Sequence, residues 1–187
     1  MIHHLKAEDF RAVPWKNGGG TATDIKVVNG PDGATDWRVG TASIDRDGPF
    51  SDYADYERTF VIIEGAGVFL DFPDGVSHDL PCDQVLVFRG GPPPGCRLKS
   101  GRATAFNLMT RVGSFTGKLS VGAPPGAAWF EGAGVIVVYA LDGDVTVTIA
   151  GKSHAVAAGG AMIIEGPDAA AVAVSATRVV LAHLRSA

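Results

Sequence analysis

The residues best suited to chemistry lie in one short stretch near the start of the sequence, Pro14-Trp15-Lys16-Asn17-Gly18-Gly19-Gly20-Thr21. Three consecutive glycines allow backbone conformations closed to other residues and leave amide N–H groups uncovered. Lys16 adds a cation and Asn17 both a donor and an acceptor, so the stretch is suited to holding an anion. It is not a Walker loop, in which the lysine follows the glycines. The alternative is a flexible glycine-rich turn with Trp15 buried beside it.

Two further segments place polar groups where a cavity could use them. Arg58 precedes the apolar strand 59–63, and a guanidinium at that position can hold a carboxylate through two hydrogen bonds. In the strand that ends at Arg111, side chains alternate, so Asn107, Met109 and Arg111 share one face. That face is either solvated or turned into a polar cavity, with Met109 as its apolar wall.

Histidine and cysteine, the usual metal ligands and nucleophiles, are sparse. The five histidines include no His-x-His pair, which a strand needs to turn two imidazoles to the same side. Cys82 and Cys96 are too few for a disulfide framework or a zinc knuckle, so we expect two free, mostly buried thiols. No Gly-x-Ser-x-Gly nucleophile elbow occurs. The sequence therefore predicts a site without metal or cofactor.

Many short strands must position these residues. The 187 residues include 25 Gly and 11 Pro, which fall between apolar runs and so mark turns. The predicted strands are 37–44, 59–63, 68–72, 84–88, 104–109, 135–141, 145–149, 161–164, 171–174 and 178–184. A helix over 168–176 is an alternative, but the segment is short and has no polar face.

A stretch of about thirty residues in the first half of the chain recurs in the second half at an offset of 76 residues without a gap. The offset places Val61 on Val137, His78 on His154 and Gly90 on Gly166. In each copy an apolar strand is followed by a glycine turn, a Ser-His strand and another apolar strand. Chance alignment of glycine-rich β sequence is the alternative, although the glycines and the apolar blocks fall in register together.

This repeat predicts an all-β bicupin, in which one chain forms two double-stranded β-helix, or cupin-like jelly-roll, barrels. A generic β-sandwich is the other candidate. The first barrel is expected over residues 1–111, with a ligand pocket at its mouth. A smaller, structural barrel is expected over residues 112–187, and it offers a surface on which a homodimer could form.

Charge and hydropathy exclude several classes of partner. The 16 Lys and Arg residues against 20 Asp and Glu give a net charge of −4, and no basic cluster occurs, which argues against nucleic acid. No apolar run approaches the roughly 20 residues that cross a bilayer, and the start has no signal-peptide pattern. We therefore expect a cytoplasmic protein with no membrane partner.

The motifs together resemble the HutD/Ves family of small bicupin proteins, whose HutD branch is associated with bacterial histidine utilisation. The resemblance depends on the segment 14–21, on Trp37-Arg38, on Asp47-Gly48-Pro49-Phe50-Ser51, on Arg58, on Glu64-Gly65-Ala66-Gly67, and on Phe106-Asn107-Leu108-Met109 with Arg111. Two positions depart from the family pattern: Ala105 replaces an acidic residue and Tyr56 replaces a glycine. The resemblance implies sensing or buffering of a histidine-pathway intermediate such as N-formylglutamate or urocanate.

The residues and the resemblance together predict binding of a small carboxylate metabolite in the first barrel. Lys16 and Arg58 would neutralise its charge, Asn17 and Asn107 would orient it, and Trp15 or Phe88 would form an apolar wall. Gly18, Thr21 and Arg111 complete the predicted binding residues.

Two other functions stay open. In a metal-independent hydrolase or isomerase, Glu57 or Glu64 would be the general base. A protein that docks on a partner would instead need an exposed apolar patch.

Overall fold

The protein is described from a computed structural model that covers residues 1–15, 20–122, 134–170 and 172–187. The chain forms two compact units. The first unit is Arg11–Ser114, and the second combines Met1–Phe10 with Phe115–Ala187. The predicted boundary after residue 111 lies three residues before the observed one, but the first ten residues belong to the second unit. The reason is that the N-terminal strand pairs with a strand of the second half.

Within the described residues, strands account for nearly all regular structure. They begin with β1 (Ile2–Leu5) and continue through the first unit as β2 (Arg11–Pro14), β3 (Gly20–Asn29), β4 (Thr35–Ile44), β5 (Gly48–Pro49), β6 (Tyr53–Glu64), β7 (Val68–Asp71), β8 (Ser77–Leu80), β9 (Val85–Gly90), β10 (Gly95–Leu98) and β11 (Ala103–Arg111). The second unit continues with β12 (Phe115–Gly122), β13 (Val135–Ala140), β14 (Val145–Ile149), β15 (Lys152–Val156), β16 (Ala161–Glu165), β17 (Val172–Ser175) and β18 (Val179–Ser186). Short 3₁₀ turns form at Ala7–Asp9 and Gly166–Ala170.

The first unit contains two antiparallel sheets. The six-stranded sheet has the order β2-β3-β4-β11-β6-β9, and the four-stranded sheet has the order β5-β10-β7-β8. Buried side chains from both sheets form one hydrophobic cluster, which includes Ile44, Phe60 and Ile62 from the larger sheet and Leu70 and Leu80 from the smaller. Burial of this apolar surface stabilises the pairing of the two sheets.

The second unit repeats this arrangement with fewer strands. Its sheets have the orders β1-β16-β13-β18-β12 and β15-β14-β17, and their buried side chains again form one cluster. The order β4-β11-β6-β9 of the first unit corresponds strand for strand to β12-β18-β13-β16 of the second. The all-β prediction is confirmed, and the two units share this strand order.

The repeat predicted from the sequence corresponds to these equivalent strands. β11 begins at Ala103 and β18 at Val179, which is the predicted offset of 76 residues. The predicted helix alternative over 168–176 is wrong, since a 3₁₀ turn at Gly166–Ala170 is followed by β17. No helix in the described part of the chain is long and apolar enough to cross a membrane.

Candidate functional site

A cavity of about 410 Å³ opens on one face of the six-stranded sheet of the first unit. Its floor is built by side chains of β3, β4, β6 and β11, and its walls by β2 and the segment 50–53 that leads into β6. The lining residues are Val13, Pro14, Trp15, Ala22, Arg38, Gly40, Thr41, Ala42, Ile44, Phe50, Ser51, Asp52, Tyr53, Arg58, Phe60, Asn107 and Met109. This volume lies within the range of about 300 to 1,000 Å³ typical of small-molecule sites.

Strand register brings two arginines to the floor of the cavity. Met109 of β11 pairs with Arg38 on β4 and, on its other side, with Arg58 on β6. Residues that pair directly across antiparallel strands project from the same face of the sheet. Two positions along β11, on that same face, Asn107 pairs with Gly40 and Phe60. Arg38, Met109 and Arg58 therefore form one row across the three strands, and Asn107 lies in the next row on the same surface.

Arg58 is the most unusual of these side chains because it is charged and only 7% exposed. Its guanidinium lies against Phe50, at 4.8 Å from the ring centre, and Phe88, at 5.2 Å. Burial, with a smaller contribution from the charge of Arg38, lowers the pKa of Arg58 from 12.5 to about 10. The guanidinium is still protonated at neutral pH, so the cavity contains a cation that has lost most of its hydration.

The hydrogen bonds of Arg58 leave part of its donor capacity unused. Nη2 donates to Oδ1 of Asn107 at 2.5 Å. Nε is buried and has no hydrogen-bond partner, and no carboxylate of the described residues forms an ion pair with Arg58. A buried donor without an acceptor costs on the order of 1–3 kcal/mol. Since Asn107 uses its oxygen to accept from Arg58, its amide nitrogen can donate elsewhere.

Arg38 differs from Arg58 because it has a partner. Its Nε donates to Oδ1 of Asp24 on β3, and both side chains are about a quarter exposed or less. The charge of Arg38 is therefore largely balanced within the protein. Gly40, on β4 between Asp24 of β3 and Asn107 of β11, has no side chain to fill this part of the floor, and a Cβ there would lie 2.4 Å from the backbone oxygen of Thr23.

Aromatic rings form much of the remaining wall. Trp15 packs edge-on against Phe50, with ring centres 6.3 Å apart, and Phe50 packs against Phe60 at 5.5 Å. The backbone N–H of Trp15 donates to the carbonyl oxygen of Gly20 at 2.9 Å, which brings the ends of β2 and β3 together. Gly20 cannot be replaced there without strain, because a Cβ would meet the backbone oxygen of Ser43 at 1.9 Å.

Three of the predicted binding residues line this cavity: Trp15, Arg58 and Asn107. Phe88 does not line it but contacts Arg58 from β9, so it supports the cation rather than forming a wall. The predicted residues Lys16, Asn17 and Gly18 lie outside the described residues.

Two predicted residues lie away from the cavity lining. Thr21 hydrogen-bonds through its backbone N–H to Oγ of Ser43 at 3.0 Å. Arg111 forms ion pairs with Asp32 at 2.7 Å and Asp36 at 3.7 Å, so the polar stripe on β11 divides between a cavity and an ion pair. Arg111 lies on the same face of β11 as Asn107, but at the end of the strand. There it contacts the carboxylates of Asp32, which precedes β4, and Asp36, near the start of β4.

The carboxylates predicted for an enzyme also lie outside the lining. Glu57 precedes Arg58 on β6 and, by strand alternation, projects to the opposite face of the sheet. Glu64 is exposed at the end of β6 and accepts a hydrogen bond from Oγ1 of Thr104 at 3.0 Å. Neither residue is placed to take a proton from a molecule in the cavity.

The family of the chain follows from sequence comparison over nearly its whole length. The model of the HutD family matches residues 7–182. The chain belongs to the HutD family. The uncharacterised 21.2 kDa protein in the hutC 3′ region of Pseudomonas putida is 30% identical over 161 residues, covering 81% of this chain and 80% of that protein. Protein Ves of Escherichia fergusonii is 31% identical over 117 residues, covering 60% and 61% of the two chains.

The fold of this HutD protein has a close structural counterpart. The structure of HutD from Pseudomonas fluorescens SBW25, in a formate condition, is 27% identical and superposes with a TM-score of 0.85, each chain covered in full. The predicted resemblance to the HutD/Ves family is confirmed, and the HutD family is associated with histidine utilisation.

Sequence reasoning did not include Arg38 among the binding residues of this HutD protein. A signal was available, because Trp37 is a large apolar residue in a predicted strand, and the structure buries it to 1% exposure. If Trp37 is assigned to a buried face, alternation places Arg38 on the other face. What the sequence does not provide is the pairing of that strand with β11, which turns Arg38 toward Arg58.

The histidines and cysteines do not gather at the cavity. His78 packs against Phe72 and His154 against His4, on the small sheets and β1. In the described part of the chain, no group of three or more His, Cys, Asp or Glu residues is arranged to hold a metal ion. Neither cysteine takes part in a disulfide; Cys96 is buried as expected, whereas Cys82 is exposed.

Proposed function

We propose that this HutD protein binds a small carboxylate metabolite of histidine catabolism in the cavity of its first unit. Through that binding it senses or buffers the metabolite and so modulates histidine utilisation. N-formylglutamate and urocanate are the candidate ligands. The observation that carries the proposal is Arg58, a buried guanidinium without a carboxylate partner on the floor of a cavity of about 410 Å³.

The physical argument starts from the cost of a desolvated charge. A buried guanidinium without a counter-ion is unfavourable, and a carboxylate that enters the cavity supplies the missing charge. Charge-assisted hydrogen bonds to arginine are roughly twice as strong as neutral ones and fix the orientation of a planar carboxylate. The unused N–H donors of Asn107, beside Arg58, would hold a second oxygen of the ligand.

The rings around Arg58 make this cation a pre-formed receptor. Phe50 and Phe88 contact the guanidinium, and Asn107 holds Nη2 at 2.5 Å. A side chain that is already fixed loses little conformational entropy when the ligand binds, which raises affinity. The same contacts explain why the predicted residue Phe88 would contribute to binding without touching the ligand.

Thermal unfolding with added ligand tests the proposal. N-formylglutamate, urocanate and glutamate are titrated against the folded protein, and a ligand at 100 times its dissociation constant should stabilise it by about 2.7 kcal/mol. Arg58→Met should remove this shift. Arg102→Met, at an exposed residue outside the cavity lining, is the control and should keep it. If none of the acids shifts the transition of the folded wild-type protein, the proposal is wrong.

A further inference from the structure

We propose that the cavity selects an acid with a single carboxylate and a flat, unsaturated or aromatic body, and that it discriminates against dicarboxylates. This inference rests on the proposed function and specifies the class of ligand that the site accepts. It follows from two features of the described residues: the balance of charge around the cavity and the nature of the surface opposite the cation.

Among the residues that the structure describes, the charges around the cavity leave one cation for a ligand. The described lining contains two arginines and one carboxylate, Asp52. Arg38 already forms an ion pair with Asp24, whose side chain is 18% exposed. The charge of Arg38 is therefore largely balanced within the protein. Among the described residues that line the cavity, Arg58 is thus the cation that no carboxylate balances. A ligand with one negative charge completes this balance.

A second carboxylate on the ligand would meet unfavourable surroundings. Asp52, the carboxylate among the described lining residues, would repel it, whereas the charge of Asp24 is balanced by Arg38. Asp52 is exposed, so solvent weakens this repulsion. Burying a second carboxylate costs desolvation free energy, and the described lining contains no further unpaired cation to offset that cost.

The remainder of the cavity favours an apolar body. Trp15, Phe50 and Phe60 present ring surfaces, and aliphatic side chains from β2, β3 and β4 complete the apolar part of the lining. A flat conjugated group can stack on or against such rings and gains about 0.5–1.5 kcal/mol beyond burial of its area. It also loses less torsional freedom on binding than a flexible chain does. Flatness and single charge are therefore favoured by different parts of the same site.

Two matched pairs of ligands test these features separately by isothermal titration calorimetry. N-formylglutamate and 4-formamidobutanoate differ by one carboxylate, and urocanate and imidazolepropionate differ by one double bond. We expect 4-formamidobutanoate to bind at least tenfold more tightly than N-formylglutamate, and urocanate more tightly than imidazolepropionate. Equal or tighter binding of N-formylglutamate overturns the inference on charge, and equal or tighter binding of imidazolepropionate overturns the inference on flatness.

The outcome also separates this inference from the proposed function. If N-formylglutamate binds best and Arg58→Met abolishes its binding, the proposed function stands and the selection for one carboxylate is wrong. If no acid of either pair binds, both are wrong.

A charge variant provides an independent readout. Asp52→Asn should reduce the ratio of the dissociation constants of N-formylglutamate and 4-formamidobutanoate by about two- to fivefold at low ionic strength. This is the size expected of an exposed charge pair. Asp55→Asn, at an exposed carboxylate outside the lining, should leave this ratio unchanged. An identical ratio in the wild-type protein and in Asp52→Asn would overturn the role assigned to the charge of Asp52.

Discussion

Removing the buried charge of the cavity should make the ligand-free protein more stable while it abolishes binding. The perturbation is Arg58→Met combined with Asn107→Leu. Methionine retains much of the length of arginine and can contact Phe50 and Phe88 through its sulfur. Leucine removes the amide oxygen that would otherwise lose its donor, since Asn107 accepts from Nη2 of Arg58 at 2.5 Å. The double variant thus replaces a charged pair by apolar groups of similar size.

The expected magnitude follows from the pKa of Arg58. Burial lowers it from 12.5 to about 10, which corresponds to a cost of about 3 kcal/mol for keeping the charge in the folded protein at neutral pH. The cation–π contacts with Phe50 and Phe88, worth about 0.5–2 kcal/mol each, are partly replaced by contacts of the methionine sulfur. We therefore expect a gain of roughly 1–3 kcal/mol in the free energy of unfolding, in the range measured for other buried charges replaced by apolar residues.

Urea denaturation at pH 7 measures this gain. Two of the three tryptophans, Trp15 and Trp37, lie in the first unit, so tryptophan fluorescence reports mainly on that unit, and circular dichroism provides a second probe. With a slope of about 2 kcal/mol per molar urea, the midpoint should rise by roughly 0.5–1.5 M. Arg102→Met is the control for loss of an exposed arginine and should change stability by less than about 0.5 kcal/mol. A double variant that is no more stable than the wild type would refute the assignment of Arg58 as a desolvated cation without a counter-ion.

Two further predictions concern groups outside the cavity lining. Burial raises the pKa of the Cys96 thiol to about 12, whereas Cys82 is exposed, so a thiol reagent at pH 8 should titrate one cysteine in the folded protein and two after unfolding; equal rates for both would contradict this. The pKa of Asp71 is lowered to about 2, chiefly by its hydrogen bond from the Arg97 guanidinium and to a smaller extent by a hydrogen bond from Ser77. The unfolded chain then binds more protons between about pH 4 and pH 2, so stability should fall as the pH drops through this window, and Asp71→Asn should lose that part of the slope in acid titrations of unfolding. Parallel slopes for wild type and variant would contradict the pairing.

Much of the fold could be predicted because the information is local. Strand positions follow from alternation and from the glycine and proline residues that bound each apolar run. The 76-residue offset between Ala103 and Val179 is visible in sequence because the repeated unit retains its turns. The N-terminal strand was assigned to the wrong unit because β1 pairs with β16, and a pairing between the two ends of a chain leaves no local signal.

The candidate site was predicted in part. Trp15, Arg58 and Asn107 line the cavity as their residue types and positions predicted. Arg111 has the same residue type as Arg58 and lies on the face of Asn107, yet it pairs with Asp32. Residue type and strand alternation are the same for a binding arginine and for one held in an ion pair, so they could not separate the two.

By itself, the sequence determined that this protein is built of short strands, that its two halves are related, and which faces of each strand carry polar groups. Only the tertiary structure decided which of those groups meet. Antiparallel register places Arg38 and Arg58 on either side of Met109, and packing against Phe50 and Phe88 leaves Arg58 largely desolvated, with no carboxylate of the described residues as a partner. The reason is that the free energy of a charge depends on its solvent and its neighbours, and both are set by contacts between residues that are distant in the chain.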